Sequence, residues 1–292
     1  MSKLLRFEEW QEAIQVHQNR LEALTNNWSL AEKGKHPVID FLFKYYSFRY
    51  NKLRQWTPGL GVGLEGPSTE ELSETRFSTK GSHISLKDSL LPRGRITALQ
   101  WTLSLLQQTQ KNSVCFNCYG LHEWAMVYKA PEIRHITTPL RLSDEEIAAI
   151  VEDKPLNCTH HDALRFYTPE ALPLNRHSTT RGTQEDYEQS ACLHANMDLY
   201  KWAYKIYPWI SSELLVDCFE LALKCREIDM KASPYDLRHL GYEPIKIETP
   251  EGREEYVKQQ LRLKLLAEPL REKLIKVYQE LLKQTSLKLS DK

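Results

Sequence analysis

Apolar residues recur at three- and four-residue intervals through most of this chain, a period that admits helices and little else. Residues 7–24 place Phe7, Trp10, Ile14, Leu21 and Leu24 on one helical stripe, and 38–56 form an aromatic-rich second helix behind His36-Pro37, where Pro37 suits a first helical position. The same period predicts helices over 95–108, 119–128, 183–207 and 211–230. Ser143-Asp144-Glu145-Glu146 is a capping box, so a helix begins there and ends at Pro155. A short helical turn follows over 161–166, closed by Pro169. Thr249-Pro250-Glu251 opens a last long helix that the pattern carries to about Lys283, with 286–292 as a flexible tail.

One stretch breaks the period. Residues 57–93 hold glycines at 59, 61, 63 and 66 and prolines at 58, 67 and 92, and read as a long irregular loop with short strand segments at 76–78 and 83–86. The expected fold is therefore mainly α: a single-domain multi-helix bundle over 1–285 with one long excursion. Gly59-Leu60-Gly61-Val62-Gly63 follows a helix rather than a strand, so it is no dinucleotide loop and no nicotinamide cofactor is expected.

Charge is balanced at 39 Lys+Arg against 39 Asp+Glu, which excludes a whole-protein basic field for nucleic acid. No leader pattern and no long apolar run are present, and the six cysteines need no disulfide framework at this size. A cytoplasmic protein with reduced thiols and no membrane contact is expected. Cys115-Phe116-Asn117-Cys118 lacks a second pair at zinc-finger spacing and reads as a buried pair.

Histidines cluster beside acids: His36 with Asp40, His122 with Glu123, His160 and His161 before Asp162, and His194 with Asp198. The i, i+4 spacing puts His194 and Asp198 on one helical face. Imidazoles and carboxylates arriving from several helices build either metal sites or general acid/base sites. The candidate catalytic residues are His194, Asp198, His122, Glu123, His161 and Asp162. The candidate metal ligands are His36, His122, His161 and His194, and zinc or iron is the divalent metal this ligand set implies. Tyr45, Tyr46, Trp124 and Tyr200 are candidates to line a cavity for a flat ligand, with Arg49 beside them. Asp217, Glu220, Glu227 and Asp229 read most simply as a partly solvated face of one helix, from which Asp217 and Glu220 could reach a site.

Several runs extend beyond these pairs: His36-Pro37-x-x-Asp40-Phe41-Leu42-Phe43-x-Tyr45-Tyr46, Gly120-Leu121-His122-Glu123-Trp124-Ala125-Met126-Val127-Tyr128, His194-Ala195-Asn196-Met197-Asp198-Leu199-Tyr200-Lys201-Trp202, Met230-Lys231-Ala232-Ser233-Pro234-Tyr235-Asp236 and Ile247-Glu248-Thr249-Pro250-Glu251-Gly252-Arg253. Together, over roughly 36–270, they resemble a bacterial family of actinobacteria and cyanobacteria commonly labelled 3-methyladenine DNA glycosylase. That resemblance implies excision of an alkylated purine from DNA, with a flipped base stacked on aromatics and a carboxylate such as Asp198, Glu123 or Asp162 supporting cleavage of the N-glycosidic bond. DNA, or a nucleobase-containing substrate, is then the partner, and Arg49, Lys52, Arg54 and Arg95 would supply phosphate contacts. Thr57-Pro58-Gly59-Leu60-Gly61 imitates the hairpin of helix-hairpin-helix glycosylases, but no Asp lies between Asp40 and Asp88, so that family's catalytic Asp has no counterpart here.

Two other readings stand beside it. The His/acid pairs also suit a metal-dependent hydrolase or oxygenase with its site inside the helical bundle. A non-catalytic interaction protein would keep the same polar groups only to specify its fold.

Overall fold

The computed structural model describes residues 3–25, 36, 38–133 and 138–290, and side chains up to residue 287. Among them are eleven α-helices: α1 (Phe7–Thr25), α2 (Ile39–Tyr45), α3 (Tyr50–Leu53), α4 (Ile96–Lys111), α5 (Leu121–Ala125), α6 (Asp144–Asp153), α7 (His161–Leu164), α8 (Gln184–Tyr187), α9 (Leu193–Lys205), α10 (Ser212–Ala232) and α11 (Pro250–Ser290). The fold is the expected mainly α bundle. Its centre is the pair α9 and α10, packed along one another, with α11 laid across both and onto α4. Among the described residues, no helix is long and apolar enough to cross a membrane.

Local signals place most of these elements. Ser143 and Glu146 close the capping box reciprocally, at 2.8 Å from the Ser143 amide to Glu146 Oε2 and 3.3 Å from the Glu146 amide to Ser143 Oγ. Ser211 Oγ caps α10 by accepting from the Leu214 amide. The last helix runs through Ser290, past its predicted end, because Leu281 and Thr285 continue its buried stripe.

The excursion over 57–93 is more ordered than its composition suggests. β2 (Val62–Glu65), β3 (Phe77–Lys80) and β4 (His83–Leu86) join β1 (Lys3–Leu5) in a four-stranded sheet of order β1-β2-β4-β3, in which β1 runs parallel to β2 and the other neighbours are antiparallel. Gly59 ties this sheet to the bundle. Its φ is +85°, and a Cβ there would sit 2.7 Å from the Ser211 amide nitrogen, so only glycine lets the loop touch the start of α10.

Two predicted helices are broken. The helix over 38–56 divides into α2 and α3 at Ser47, whose φ is +56°. Pro37 lies outside the described residues. The helix over 183–207 divides into α8 and α9. Asn112 Nδ2 donates to the Glu185 and Glu188 carbonyls at 2.8 Å each, which takes the last carbonyls of α8 away from helix continuation. Gln260 Nε2 captures the Ala191 carbonyl at 2.7 Å on the far side of the break. The break turns Glu188 inward, to the position described next.

Candidate metal centre

Buried polar side chains from five segments meet between α9 and α10. On α9, His194, Asp198 and Lys201 follow at i, i+4 and i+7, one stripe facing inward. On α10, Arg226 and Asp229 lie at i, i+3 within a helix otherwise buried by Cys218, Ala222, Cys225 and Ile228. α5 brings His122 and Glu123. It begins at Gly120, φ +74°, where a Cβ would meet Tyr256 at 3.2 Å. His160 stands in extended backbone just before α7, and Glu188 stands in the break before α9.

These residues form two adjoining triads. In the first, His122 Nε2 lies 2.6 Å from Asp229 Oδ1, and His194 Nε2 lies 3.8 Å from Asp229 Oδ2. Arg226 fixes the same carboxylate at 2.7 Å and reaches Glu123 Oε1 at 2.5 Å, its guanidinium 4.0 Å from the centre of the Phe41 ring. In the second, His160 Nδ1 is 3.2 Å from Glu188 Oε1 and His160 Nε2 is 3.9 Å from Asp198 Oδ2. Asp198 also accepts from Tyr46 Oη at 2.8 Å and from Lys201 Nζ at 2.7 Å, and Lys201 reaches Asp162 at 2.9 Å. The triads touch through their histidines. The His160 and His194 rings stack at 5.1 Å between centroids, and His122 meets His194 edge-on at 4.4 Å. Within each triad, one ligand atom per residue falls within 4.8 Å of the others, close enough to share one metal ion.

Electrostatics follow from this packing. Five carboxylates (Glu123, Asp162, Glu188, Asp198 and Asp229) face three fixed cations, Arg226, Lys201 and the nearby Arg271. The imidazoles respond to the deficit. Burial works against a charged His122, but Asp229 outweighs it and the pKa stands well above the ordinary value. Burial is likewise overcome at His160 by Glu188 and Asp198, and its pKa is raised. His194 goes the other way: burial and the neighbouring His122 charge hold it well below the ordinary value, hence neutral. Burial would raise Asp229 and Glu188, yet their histidine partners hold both below the ordinary carboxylate range.

His160 is the least satisfied member. It is 1 % exposed, and neither ring nitrogen makes a well-directed hydrogen bond among the described residues, although a carboxylate faces each. Glu188 pairs with its Nδ1 as an ion pair, and a metal ion shared with Glu188 and Asp198 would give the ring a directed partner.

The predicted residues divide accordingly. His122, His194, Asp198, Glu123 and Asp162 all join the cluster, the last two as partners of Arg226 and Lys201 rather than as members of a triad. His161 does not join it. Its Nδ1 lies 3.3 Å from the Thr179 carbonyl, and His160, next to it, takes the inward position. His36 serves the start of α2, where its backbone amide donates to Asp40 at 2.8 Å and its Nδ1 accepts from the Ile39 amide at 3.3 Å. Neither His36 nor His161 belongs to a group that could hold a metal among the described residues.

Among the aromatics, Tyr46 touches the centre through Asp198, and Tyr200 packs edge-on to Tyr46 with its hydroxyl buried. Trp124 is core, its indole nitrogen donating to the Ala232 carbonyl at 2.8 Å. Tyr45 stacks on Phe41 at 5.0 Å with Arg165 beside it. Arg49, Lys52, Arg54 and Arg95 are exposed at the surface, apart from the centre.

Glu188, Asp229 and Arg226 carry no clear signal in the sequence as ligands or partners. Asp229 is fully buried rather than part of a solvated face, whereas Asp217 and Glu220 pair with Arg20 at 2.7 Å each. The telling sign is the stripe 218-222-225-229, in which Asp229 continues Cys218, Ala222 and Cys225. Cys115 and Cys118 are half-buried and free, not the buried pair that their spacing suggested.

A cavity of about 400 Å³ opens elsewhere, between α1, β2 and the start of α10, and none of its lining residues belongs to the polar cluster. No family model, curated protein or solved structure matches the chain.

Proposed function

We propose that the chain is a metal-dependent enzyme whose two His/carboxylate triads hold a pair of divalent ions, of the oxygen-activating class. The observation that carries this reading is His160, sealed between Glu188 and Asp198 with both ring nitrogens lacking a directed hydrogen bond and a second triad stacked against it. Mixed imidazole and carboxylate donors suit iron or manganese, and zinc fits the same donors. Paired sites drawn from facing helices are how helical bundles carry dinuclear metal chemistry.

Enclosure favours a small co-substrate such as dioxygen over a bulky hydrolytic substrate. Every triad residue is buried, and the cavity that touches His122 and His194 offers only about 10 Å³. Tyr46, hydrogen-bonded to Asp198, stands where a phenol could deliver a proton and an electron to the centre. The geometry gives the base-excision reading less support. Its candidate carboxylates Asp198, Glu123 and Asp162 are all engaged by Lys201, Tyr46 or Arg226, and the first two are 1 % and 4 % exposed while Asp162 is half-buried.

Elemental analysis of full-length protein purified without a polyhistidine tag tests the reading. Up to two equivalents of iron, manganese or zinc are expected, falling sharply in His160→Ala and Glu188→Gln variants that retain the wild-type circular dichroism. Metal-free wild-type protein that releases free methylated base from alkylated DNA would replace this reading with base excision.

A further inference from the structure

Two indoles, Trp101 of α4 and Trp202 of α9, gather cations from three segments. Lys201 and Lys205 lie at i, i+4 on α9, and both ammonium groups stand over the Trp202 ring, 4.5 Å and 5.1 Å from its centre. Trp101 meets Trp202 edge-on at 5.8 Å, and the guanidinium of Arg181, in the turn before α8, covers Trp101 at 3.9 Å. Arg95 stands just before α4, close enough for its charge to act on Lys205.

Little in the protein neutralises this cluster. Lys201 is paired with Asp198 and Asp162, but Arg95, Arg181 and Lys205, all exposed, form no ion pair among the described residues. Arg181 Nη1 donates to the neutral Gln184 Oε1 at 2.7 Å, and Glu185, one turn beyond Arg181, accepts from Ser104 Oγ at 2.7 Å instead. Lys205 registers the crowding. Partial burial acts first, the charges of Lys201, Arg181 and Arg95 add to it against the pull of Asp198, and its pKa is held below the ordinary lysine value. Like charges are held together there at a cost that an anion between them would remove.

We propose that Arg95, Arg181 and Lys205 form a docking site for the phosphate group of a small organic molecule. Two guanidinium forks and an ammonium match the several oxygens and double charge of a phosphate, whereas a carboxylate needs a single such partner. A nucleic-acid backbone would need the basic strip to continue, and beyond Arg181 the chain turns acidic at Glu185 and Asp186. Lys201 joins the site to the second triad, because the amine that stands over Trp202 also holds Asp198 at 2.7 Å. The inference goes beyond the oxygen-activating reading and stands without it, since none of the three residues belongs to a triad.

Pyridoxal phosphate, an aldehyde carrying one phosphate group, is the probe. It condenses with a neutral lysine amine, releasing water, and borohydride then fixes the imine for peptide mapping of the full-length protein. Labelling of Lys205 is read against that of the exposed Lys258 on α11 in the same sample. At physiological salt, this ratio is expected to be at least about tenfold higher with pyridoxal phosphate than with pyridoxal, which lacks the phosphate, and inorganic pyrophosphate is expected to protect Lys205. Arg95→Gln and Arg181→Gln are each expected to lose most of that advantage with circular dichroism unchanged. His160→Ala is expected to label as the wild type does, so loss of the metal centre and loss of this site are read separately. Equal ratios with the two aldehydes, a full phosphate advantage in an Arg95→Gln/Arg181→Gln double variant, or protection by a single-stranded oligonucleotide but not by pyrophosphate overturns the proposal.

Discussion

His122 and Asp229 share a 2.6 Å contact with essentially no access to solvent, although they lie on different helices and 107 positions apart in sequence. The contact fixes the spacing between α5 and α10, and with it the floor of the candidate centre. A charged carboxylate persists there because His122 and Arg226 both face it.

Asp229→Asn therefore leaves Arg226 and the protonated His122 facing a neutral amide. Removing one partner of a buried ionic group costs about 3–5 kcal/mol. Urea denaturation of the metal-free protein is expected to show a loss of that order, with Glu123 retaining part of the hold on Arg226. A loss within about 0.5 kcal/mol, the size of an ordinary surface substitution, would place Asp229 outside the network.

Tyr46→Phe separates function from fold. Only the hydroxyl on Asp198 is lost, and the ring keeps its contacts with Tyr45, Tyr200 and Tyr204. Stability is expected to drop by about 0.5–1.5 kcal/mol, the net worth of one hydrogen bond. Dioxygen consumption by the iron-loaded protein is expected to fall at least tenfold while metal content stays constant. Unchanged consumption would remove Tyr46 from the chemistry.

The sequence made the scaffold legible because its helices are written locally. The Ser143 box, the Ser211 cap and Pro250 at the start of α11 each act within one turn, and the structure contains all three. Half of the centre was legible for the same reason: His194 and Asp198 share a helical face whatever the tertiary fold does. Glu188 was not, because its place depends on Asn112, 76 positions away, and the stretch between α8 and α9 carries no Gly or Pro to mark the break. Asp229 was not, because a charged residue in an apolar stripe is soluble or buried according to what packs against it. His160 and His161 are equivalent by pattern, and only the extended backbone before α7 aims the first of them inward.

Asn112→Ala tests that break directly. The Glu185 and Glu188 carbonyls lose their donor in a part-buried setting, at a cost of about 0.5–1.5 kcal/mol per bond. Because Glu188 is positioned by the same segment, metal affinity is expected to fall by about 10–100-fold, the usual effect of losing a ligand's support. Isothermal titration of metal into the folded variant measures it. Wild-type affinity would show that the break does not position the ligand.

Proton and metal compete for the same imidazoles, and the sign of the pH dependence follows. His122 and His160 are raised above their unfolded value near about 6.5, so in metal-free protein their stabilisation is complete below that value and is lost as pH rises through the folded values. His194 is lowered, so its contribution is present above that value and lost as pH falls through the folded one. Two groups against one make metal-free protein less stable on the alkaline side. A bound cation replaces those protons, so the gap in Tm between metal-loaded and chelator-treated protein is expected to widen from about pH 6 to about pH 8. A gap that narrows over that range contradicts the assignment of these histidines as ligands.

Anomalous X-ray scattering from crystals of the protein, purified without chelator and collected at the absorption edge of the metal it carries, decides whether the two triads hold ions. A peak is expected within bonding distance, about 2.0–2.2 Å, of a His160 nitrogen and of Glu188 and Asp198 oxygens, with a second peak beside His122, His194 and Asp229. Well-ordered density for all of these side chains with no peak between them, from protein soaked in excess iron, manganese and zinc, would contradict it.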